Sequence, residues 1–349
     1  MTKTTTYIVA AEQNKDEQLT SSISLQNILK QAQALKLNCK TFTITPLKAG
    51  WNSQLAPDHY RSGNGPLEAI DAAIQQLTKK EIDIAIIQGE DFLKSAYTPE
   101  LRHSLMEIYP TISLPQAYTK LAQKWCNINN IELHEFITIA ALLFDNYHTT
   151  YSARTKLPQP EQKWFNFITP LFRGVDCANP VVDFSGRIVL TSLAIAQQLK
   201  CPQLIAIEGI ATGIINGTGI EAINEIAQYS HLKQVISAAS TMAAVDFVEL
   251  FKNKQAYLEV YSCFPIVPLA FLFASGIATN TPEMKVVIQN YPLTITGGMN
   301  LAKAAWNQPV LRAIIAMYHK LLQEPSIKFA GIHGNGGLGE RQGFLILQH

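Results

Sequence analysis

The chain has little charge and almost no excess of one sign. Charged residues make up 16% of its 349 residues, and the formal net charge is +1. Nucleic acids and anionic membranes are held largely by a positive field, so this composition excludes both as partners recognised by bulk electrostatics. Hydrophobic residues reach 47%, which predicts a globular protein with a deep core and excludes disorder.

The sequence also lacks metal-binding cysteine pairs. Its cysteines are odd in number and far apart, and none forms a CxxC pair; they are Cys39, Cys126, Cys177, Cys201 and Cys263. This pattern predicts free thiols in a reducing compartment and excludes a zinc site of the usual spacing. The N-terminal residues 1–13 hold too short an apolar run for a signal peptide. We therefore predict a cytoplasmic protein.

One long apolar run stands out at residues 260–282, which carry no charge until Glu283. A membrane helix is one interpretation of such a run. Pro265 and Pro268 each remove a backbone donor and would break a span. We therefore predict a strand, a turn and a short buried helix here, and no membrane span.

Most of the chain alternates between strand and helix patterns. Strands are predicted at 7–11, 40–44, 82–89, 187–192, 204–209, 257–264, 293–298, 327–334 and 344–347. Helices are predicted at 25–35, 67–80, 194–199, 238–251 and 311–322. Residues 95–179 lack this alternation and are rich in proline and aromatic residues, so we predict a helical insertion that covers a site. The fold class is α/β.

A faint repeat relates the two halves. A helix followed by a short buried strand occurs twice, and Ile82, Ala85 and Gly89 match Ile327, Ala330 and Gly334 at a constant offset. Any two α/β units share this pattern to some degree, so chance similarity is one explanation. The other is a duplication with two βα-rich halves packed face to face.

Several segments carry a resemblance to the thiolase superfamily. They are LFRGVDC with NPVVDFSGRIVLTS, the YSCFP loop, PLTITGGMN and GIHGNGG; YSCFP resembles the divergent, acetyl-CoA acetyltransferase-like branch. The resemblance implies the five-layered αβαβα fold of two similar halves. The expected divisions are 1–95 for the first part of the N-terminal half, 96–179 for the insertion, 180–203 for that half's last strand and helix, and 204–349 for the C-terminal half.

The family uses a thiolate at a helix N-terminus, an activating histidine, a second cysteine and an asparagine. The first position matches Gly63, or Ser62 if the turn shifts by one residue. The histidine falls near Ala304, between Lys303 and Ala305. The second cysteine falls on the turn that begins at Gly334, and the asparagine falls on Tyr261. The resemblance therefore predicts a degenerate site without ordinary Claisen condensation or thiolysis.

Other residues are candidates to replace this chemistry. Cys263 could be a nucleophile and His333 a general base, although a buried structural thiol and a hydrogen-bonded histidine are the alternatives. Ser62 is a weaker candidate nucleophile or a turn residue, and His59 could reach the same loop or lie on the surface. Cys177 matches a structural family cysteine.

Glycine-rich loops supply the expected ligand contacts, because their amides can hold a thioester oxygen or a phosphate. The predicted ligand-binding residues are Gly63, Asn64, Tyr261, Gly297, Gly298, Asn300, Asn335, Gly336 and Gly337. The segment Gly209–Ile220 is also glycine-rich, and we predict a surface loop there.

Two functions remain open at this point. One is a non-catalytic protein that binds acyl-CoA or a related acyl ligand. The other is an acyl-CoA C-acyltransferase with a rearranged site built on Cys263 and His333. No cofactor is expected beyond a CoA thioester as ligand or substrate. The resemblance also implies a homodimer through the edge of the first-half sheet, and a partner that is a catalytic thiolase or a small OB-fold acyl-CoA-binding protein.

Overall fold

The computed structural model describes residues 5–16, 18–21, 25–156 and 160–349. The strands are β1 (Thr6–Lys15), β2 (Gln18–Ser21), β3 (Cys39–Ile44), β4 (His59–Tyr60), β5 (Ile84–Phe92), β6 (Asp183–Ser192), β7 (Ile205–Ile214), β8 (Ala256–Glu259), β9 (Phe329–Gly336) and β10 (Arg341–Gln348). The helices are α1 (Leu25–Ala34), α2 (Gly65–Thr78), α3 (Pro99–Met106), α4 (Leu114–Ile128), α5 (Leu133–Ser152), α6 (Leu193–Gln198), α7 (Ile223–Ile226), α8 (Ser230–Ala243), α9 (Phe247–Lys252), α10 (Ile266–Ser275), α11 (Thr281–Asn290) and α12 (Pro309–Gln323).

The strands form one continuous sheet that contains the same arrangement twice. The order runs β4-β3-β5-β6-β1-β7-β10-β9-β8, with β2 paired to β1. In the first half β3 and β5 are parallel and the pairs β5–β6 and β6–β1 are antiparallel. In the second half β8 and β9 are parallel and the pairs β9–β10 and β10–β7 are antiparallel. The halves meet where β1 and β7 pair.

Two helices lie between the halves. Helix α2 contacts β3, β5, β7 and β10, and α12 contacts β1, β6 and β9. On the outer side of the first half, α1 and α6 contribute Leu25, Ile28 and Ala196 to a core with Val9 and Val189. On the outer side of the second half, α8 contacts β7 and β10, and α9 contacts β8. The layers are therefore αβαβα, and the α/β fold class is confirmed.

The predicted insertion is helical. Helix α4 begins with a capping box in which the Ser113 amide donates to Gln116 Oε1 at 3.2 Å. Its buried face includes Tyr118 and Trp125, at the three- and four-residue spacing of an amphipathic helix. Helix α5 buries Tyr147 and contacts α11. This packing joins the insertion to the second half.

The apolar run at 260–282 contains the predicted turn and short buried helix but not the predicted strand, because the strand ends before the run begins. Strand β8 ends at Glu259, and α10 is ten residues long with residues 266–272 all buried. Within the described part of the chain, no helix combines the length and the apolar character needed to cross a membrane.

Three predicted boundaries are wrong. Strand β7 continues to Ile214 instead of giving way to a loop at Gly209, because β10 pairs with it along that length. The helix predicted at 238–251 is two helices. Ala244 has a φ of 54°, and Asp246 begins α9 by accepting the Glu249 amide at 3.0 Å. The strand predicted at 257–264 stops at Glu259, and the residues that follow form a loop. Beyond these boundaries, the strand predicted at 293–298 is not formed, because the Ile295 and Thr296 amides bond the Glu259 carboxylate instead of a neighbouring strand.

Candidate functional site

The loop before α2 is buried and tightly packed. Ser62 has a φ of 87°, which is rare for a residue with a side chain and implies local strain. A Cβ placed on Gly63 would overlap the phenol of Tyr261 and the carbonyl oxygen of Asn335. Asn64 is the residue before α2, and its amide donates to Ser62 Oγ at 3.2 Å. The helix N-terminus is thus closed by the protein's own side chains.

The glycine-rich end of β9 packs against the same loop. The turn predicted to begin at Gly334 begins only at Gly337, because residues 334–336 still pair with β10. A Cβ on Gly334 would lie 2.6 Å from Asn64 Oδ1, and one on Gly336 would overlap Ser62 Oγ. Glycine is required at both positions because the two loops approach so closely. The structure therefore brings Gly63, Tyr261 and the Gly334–Gly336 end of β9 together.

His333 lies at one end of a buried chain of hydrogen bonds. Gln342 Nε2 donates to Asn335 Oδ1 at 2.7 Å and to the Gly339 carbonyl at 2.9 Å. Its Oε1 is therefore the acceptor for His333 Nε2, 2.8 Å away. His333 Nδ1 is buried without a hydrogen-bond partner among the described residues. Burial, partly offset by the Gln342 bond, lowers the pKa of His333 to about 4, so the ring is neutral at pH 7.

The chain of hydrogen bonds continues from Asn335 to Tyr118, which lies beside Cys263. Asn335 Nδ2 donates to the Tyr118 hydroxyl at 3.3 Å, and that hydroxyl donates to the Gly337 carbonyl at 2.7 Å. The Cys263 thiol lies beside the same hydroxyl, and burial raises its pKa to about 12. The contact with Tyr118 opposes this rise without cancelling it, since the hydroxyl proton is donated to Gly337. Cys263 and His333 are thus linked, but as a neutral thiol and a neutral imidazole.

The other glycine-rich loop is held by contacts within the protein. Gly297 and Gly298 have φ values of 90° and 78°, and a Cβ on either would press on the rings of Tyr151 and Tyr147. Asn300 Nδ2 donates to the carbonyl oxygens of Gly174 and Cys177, at 3.1 and 2.5 Å. The amide of Asn300 therefore fastens the 174–177 turn in this state.

Free space at these residues is small. A cavity of about 20 Å³, enough for a water molecule, is lined by Tyr261, Gly298 and His333 among others. A second, of about 10 Å³, lies beside Phe264 and Asn300. A much larger cleft of about 530 Å³ opens on the other side of Ser62. Of these three spaces, the cleft alone is large enough for an acyl group without a rearrangement.

The remaining candidates lie nearby or elsewhere. The Ala304 amide donates to the Asn179 carbonyl, and the Ala178 amide donates to the Cys263 carbonyl. Residues 178–179 therefore connect the segment around Ala304 to the loop that carries Cys263. Cys177 is buried, and burial raises its pKa. His59 Nδ1 bonds the Pro57 carbonyl at 2.9 Å, away from the Cys263 network. Roles in catalysis or ligand binding for all these residues stay predictions.

Sequence reasoning missed three residues that organise this region: Tyr118, Gln342 and Glu259. Tyr118 comes from the insertion and Gln342 from the last strand, so no local pattern relates them. Glu259 is 7% exposed, and its carboxylate accepts the amides of Ile295 and Thr296 at 2.6 and 3.0 Å. An acidic residue directly after a buried β-strand run was the available signal.

The described ranges contain no group of three or more histidine, cysteine, aspartate or glutamate residues that could hold a metal ion. No protein-family model and no curated protein matches the sequence.

Solved structures do match, at low sequence identity. A monomeric SCP2-thiolase-like protein type 1 from Mycobacterium smegmatis gives a TM-score of 0.67 at 16% identity, covering 98% of this chain and 77% of that one. The Ltp2-ChsH2(DUF35) aldolase gives 0.66 at 12%, covering 99% and 97%. The acetyl-CoA acetyltransferase from Syntrophomonas wolfei gives 0.63 at 12%, covering 99% of each chain. The two similar half-sheets pack with helices α2 and α12 between them, and the match extends over nearly the whole chain. The protein therefore has the fold of the thiolase superfamily.

Proposed function

We propose that this chain is a non-catalytic member of the thiolase-like proteins that binds an acyl-CoA or a related acyl ligand. The observation that carries the proposal is the position of the Tyr261 phenol, which takes the space that a side chain at residue 63 would need. A nucleophile at the N-terminus of α2 would have its pKa lowered by the helix dipole. Here that place holds a glycine covered by an aromatic ring.

The alternative is an acyltransferase that uses Cys263 and His333. The thiol is a poor candidate because its pKa is raised to about 12 and only 7% of the residue is exposed. The carboxamides of Asn335 and Gln342 stand between the two groups. A carboxamide does not readily pass a proton at neutral pH, so this series of hydrogen bonds favours a structural role for Cys263 and His333.

The cleft beside Ser62 supports binding of an acyl ligand. Its volume of about 530 Å³ falls within the range of about 300–1,000 Å³ typical of ligand sites. Trp51, Tyr60 and Tyr109 line it, with Leu55 and Ile112. Its basic groups are already engaged, since Arg341 bonds both oxygens of Glu68 and Arg61 bonds the Ser53 carbonyl. Glu68, Glu221 and Glu340 also line the cleft, so it offers aromatic and aliphatic surface for an acyl chain beside acidic groups.

The test is a melting curve of the purified full chain with acetyl-CoA, octanoyl-CoA or CoA. A ligand that binds only the folded state raises the midpoint. We expect an acyl-CoA shift that is lost in Trp51→Ala, in the cleft, and kept in Trp164→Ala, an exposed tryptophan outside the cleft. No shift with any thioester contradicts ligand binding, and thiolysis above the uncatalysed rate contradicts the absence of catalysis.

Assembly belongs to the same proposal. We propose a homodimer through the first-half sheet edge, where β4 is the outermost strand, together with a cytoplasmic location and a small OB-fold or catalytic thiolase partner. A similar structure is described as monomeric, and another as an aldolase with a ChsH2(DUF35) component. Light scattering after size exclusion separates a homodimer from a monomer.

A further inference from the structure

Three basic side chains meet around the small cavity beside Tyr261. Lys303 and Arg312 line it directly. Arg312 Nη1 donates to the carbonyl oxygens of Ala302 and Lys303 at 2.8 and 2.7 Å, which fixes the two residues side by side. Arg154 Nη1 donates to the Ile295 carbonyl at 2.5 Å, next to Thr296 in the cavity wall.

Lys15, at the end of β1, completes this basic cluster of Lys15, Arg154, Lys303 and Arg312. Its ammonium lies 3.9 Å from Asp16 Oδ2, which is a loose ion pair, and its side chain is 23% exposed. Its pKa is lowered to about 8, chiefly by burial and then by the charge of Arg312, with smaller effects of Lys303 and Arg154 in the same direction and an opposing effect of Asp16. Lys15 therefore lies within electrostatic reach of the other three cations, and Arg154 within reach of Arg312.

The acidic groups nearby do not balance them. The Glu259 carboxylate is taken up by the Ile295 and Thr296 amides, and burial raises its pKa. Asp16 accepts the Asp183 amide at 3.1 Å. Among the described residues the Lys303 ammonium has no ion-pair partner. Four cations against two carboxylates leave about two positive charges, in a partly buried place where repulsion is weakly screened.

We infer that the basic cluster is a binding site for a phosphate group, held by Lys15, Lys303 and Arg154 with Arg312 behind them. A phosphate carries close to two negative charges and several acceptor oxygens. These match the excess positive charge of the cluster and its ammonium and guanidinium donors. The cavity itself admits only a water, so the phosphate lies among the three partly exposed side chains. The site is separate from the cleft beside Ser62.

Free phosphate and the phosphates of CoA share this chemistry. The experiment measures binding to the full chain at low salt with inorganic phosphate, CoA, dephospho-CoA and pantetheine. We expect a phosphate-bearing probe to bind and pantetheine to gain nothing from the cluster. The double change Lys15→Gln with Lys303→Gln should weaken phosphate binding at least about tenfold, the scale of one lost charge-assisted hydrogen bond. Lys163→Gln, an exposed lysine paired with Glu161, is the matched control.

The unliganded protein gives a second readout. Lys15→Gln should raise its melting midpoint, because it removes repulsion, whereas a merely structural lysine would lower it. Absence of binding by every phosphate-bearing probe, or equal weakening in Lys163→Gln, overturns the site. If the double variant binds acyl-CoA as tightly as the unchanged protein does, the cluster does not hold a phosphate of CoA. The proposed binding of an acyl group in the cleft would still stand.

Discussion

The phenol of Tyr261 occupies the position into which a side chain on Gly63 would project. These residues are almost two hundred positions apart, yet each determines what the other can be. A residue with a side chain at 63 requires a smaller residue at 261. The pair accounts for the closed helix N-terminus, and it can be tested by stability alone.

Gly63→Cys should destabilise the protein by about 1–3 kcal/mol, the usual cost of overpacking a core. Tyr261→Ala in the same chain should recover part of this, because the ring is gone but the Asn335 carbonyl still crowds the position. Urea unfolding of both single variants and the double variant gives the coupling energy. Gly65→Cys is the control, since a Cβ there meets only ordinary contacts. Additive effects would show that the two residues do not compete.

Alkylation should distinguish the cysteines. At pH 8 a thiol with a pKa of about 12 is a thiolate in roughly one molecule in ten thousand, so Cys263 should not react in the folded protein. Cys39 is exposed and should be labelled first by iodoacetamide. Peptide mass spectrometry follows both sites. Labelling of Cys263 as fast as Cys39, blocked by acyl-CoA, would favour the acyltransferase alternative.

Much of the fold follows from local patterns. Buried strands such as β5 and β9 are short β-branched or apolar runs closed by glycine, and their common position in the two halves follows from the repeat at Ala85 and Ala330. No glycine or proline marks the break at Ala244, and its one signal in the sequence is Asp246 followed three residues later by Glu249, which is typical of a helix start. Pairing with a distant strand extended β7, which is a tertiary effect that local propensity does not contain.

The site was predictable only as a set of positions. Gly63, Tyr261 and Gly334 lie near one another as the resemblance implies, and a glycine signals close backbone approach. The ring that fills the space and the Tyr118 bonds could not be predicted, because they join residues about two hundred positions apart. The Gln342 bonds are local, since they join neighbouring strands β9 and β10, but they depend on the orientation of one buried carboxamide. The basic cluster likewise joins four separate segments.

Two buried tyrosines should respond differently to loss of the hydroxyl. Tyr118→Phe leaves the Gly337 carbonyl and Asn335 Nδ2 without their partner, so we expect a loss of about 1–3 kcal/mol. Tyr147→Phe is the matched control, because its hydroxyl is buried without a hydrogen bond to any described residue. That change should be neutral or slightly stabilising. Equal losses in urea unfolding would contradict this account of the network.

His333 should make the protein sensitive to acid. An unfolded histidine has a pKa of about 6.5, whereas burial holds the folded pKa at about 4. Between these values the unfolded state binds a proton that the folded state does not, so stability falls as pH falls. The contribution is fully present above pH 6.5, and its loss near pH 4 is about 3 kcal/mol at most.

Measuring the free energy of unfolding from pH 7 to pH 4 tests this directly. His333→Gln should flatten the curve in part, since burial also lowers the pKa values of His231 and His319. His103→Gln should leave the slope unchanged, because that ring is 81% exposed in a surface pair with Glu107. If His333→Gln and His103→Gln give the same slope, then His333 titrates normally, and its imidazole would be available as the general base that its burial argues against.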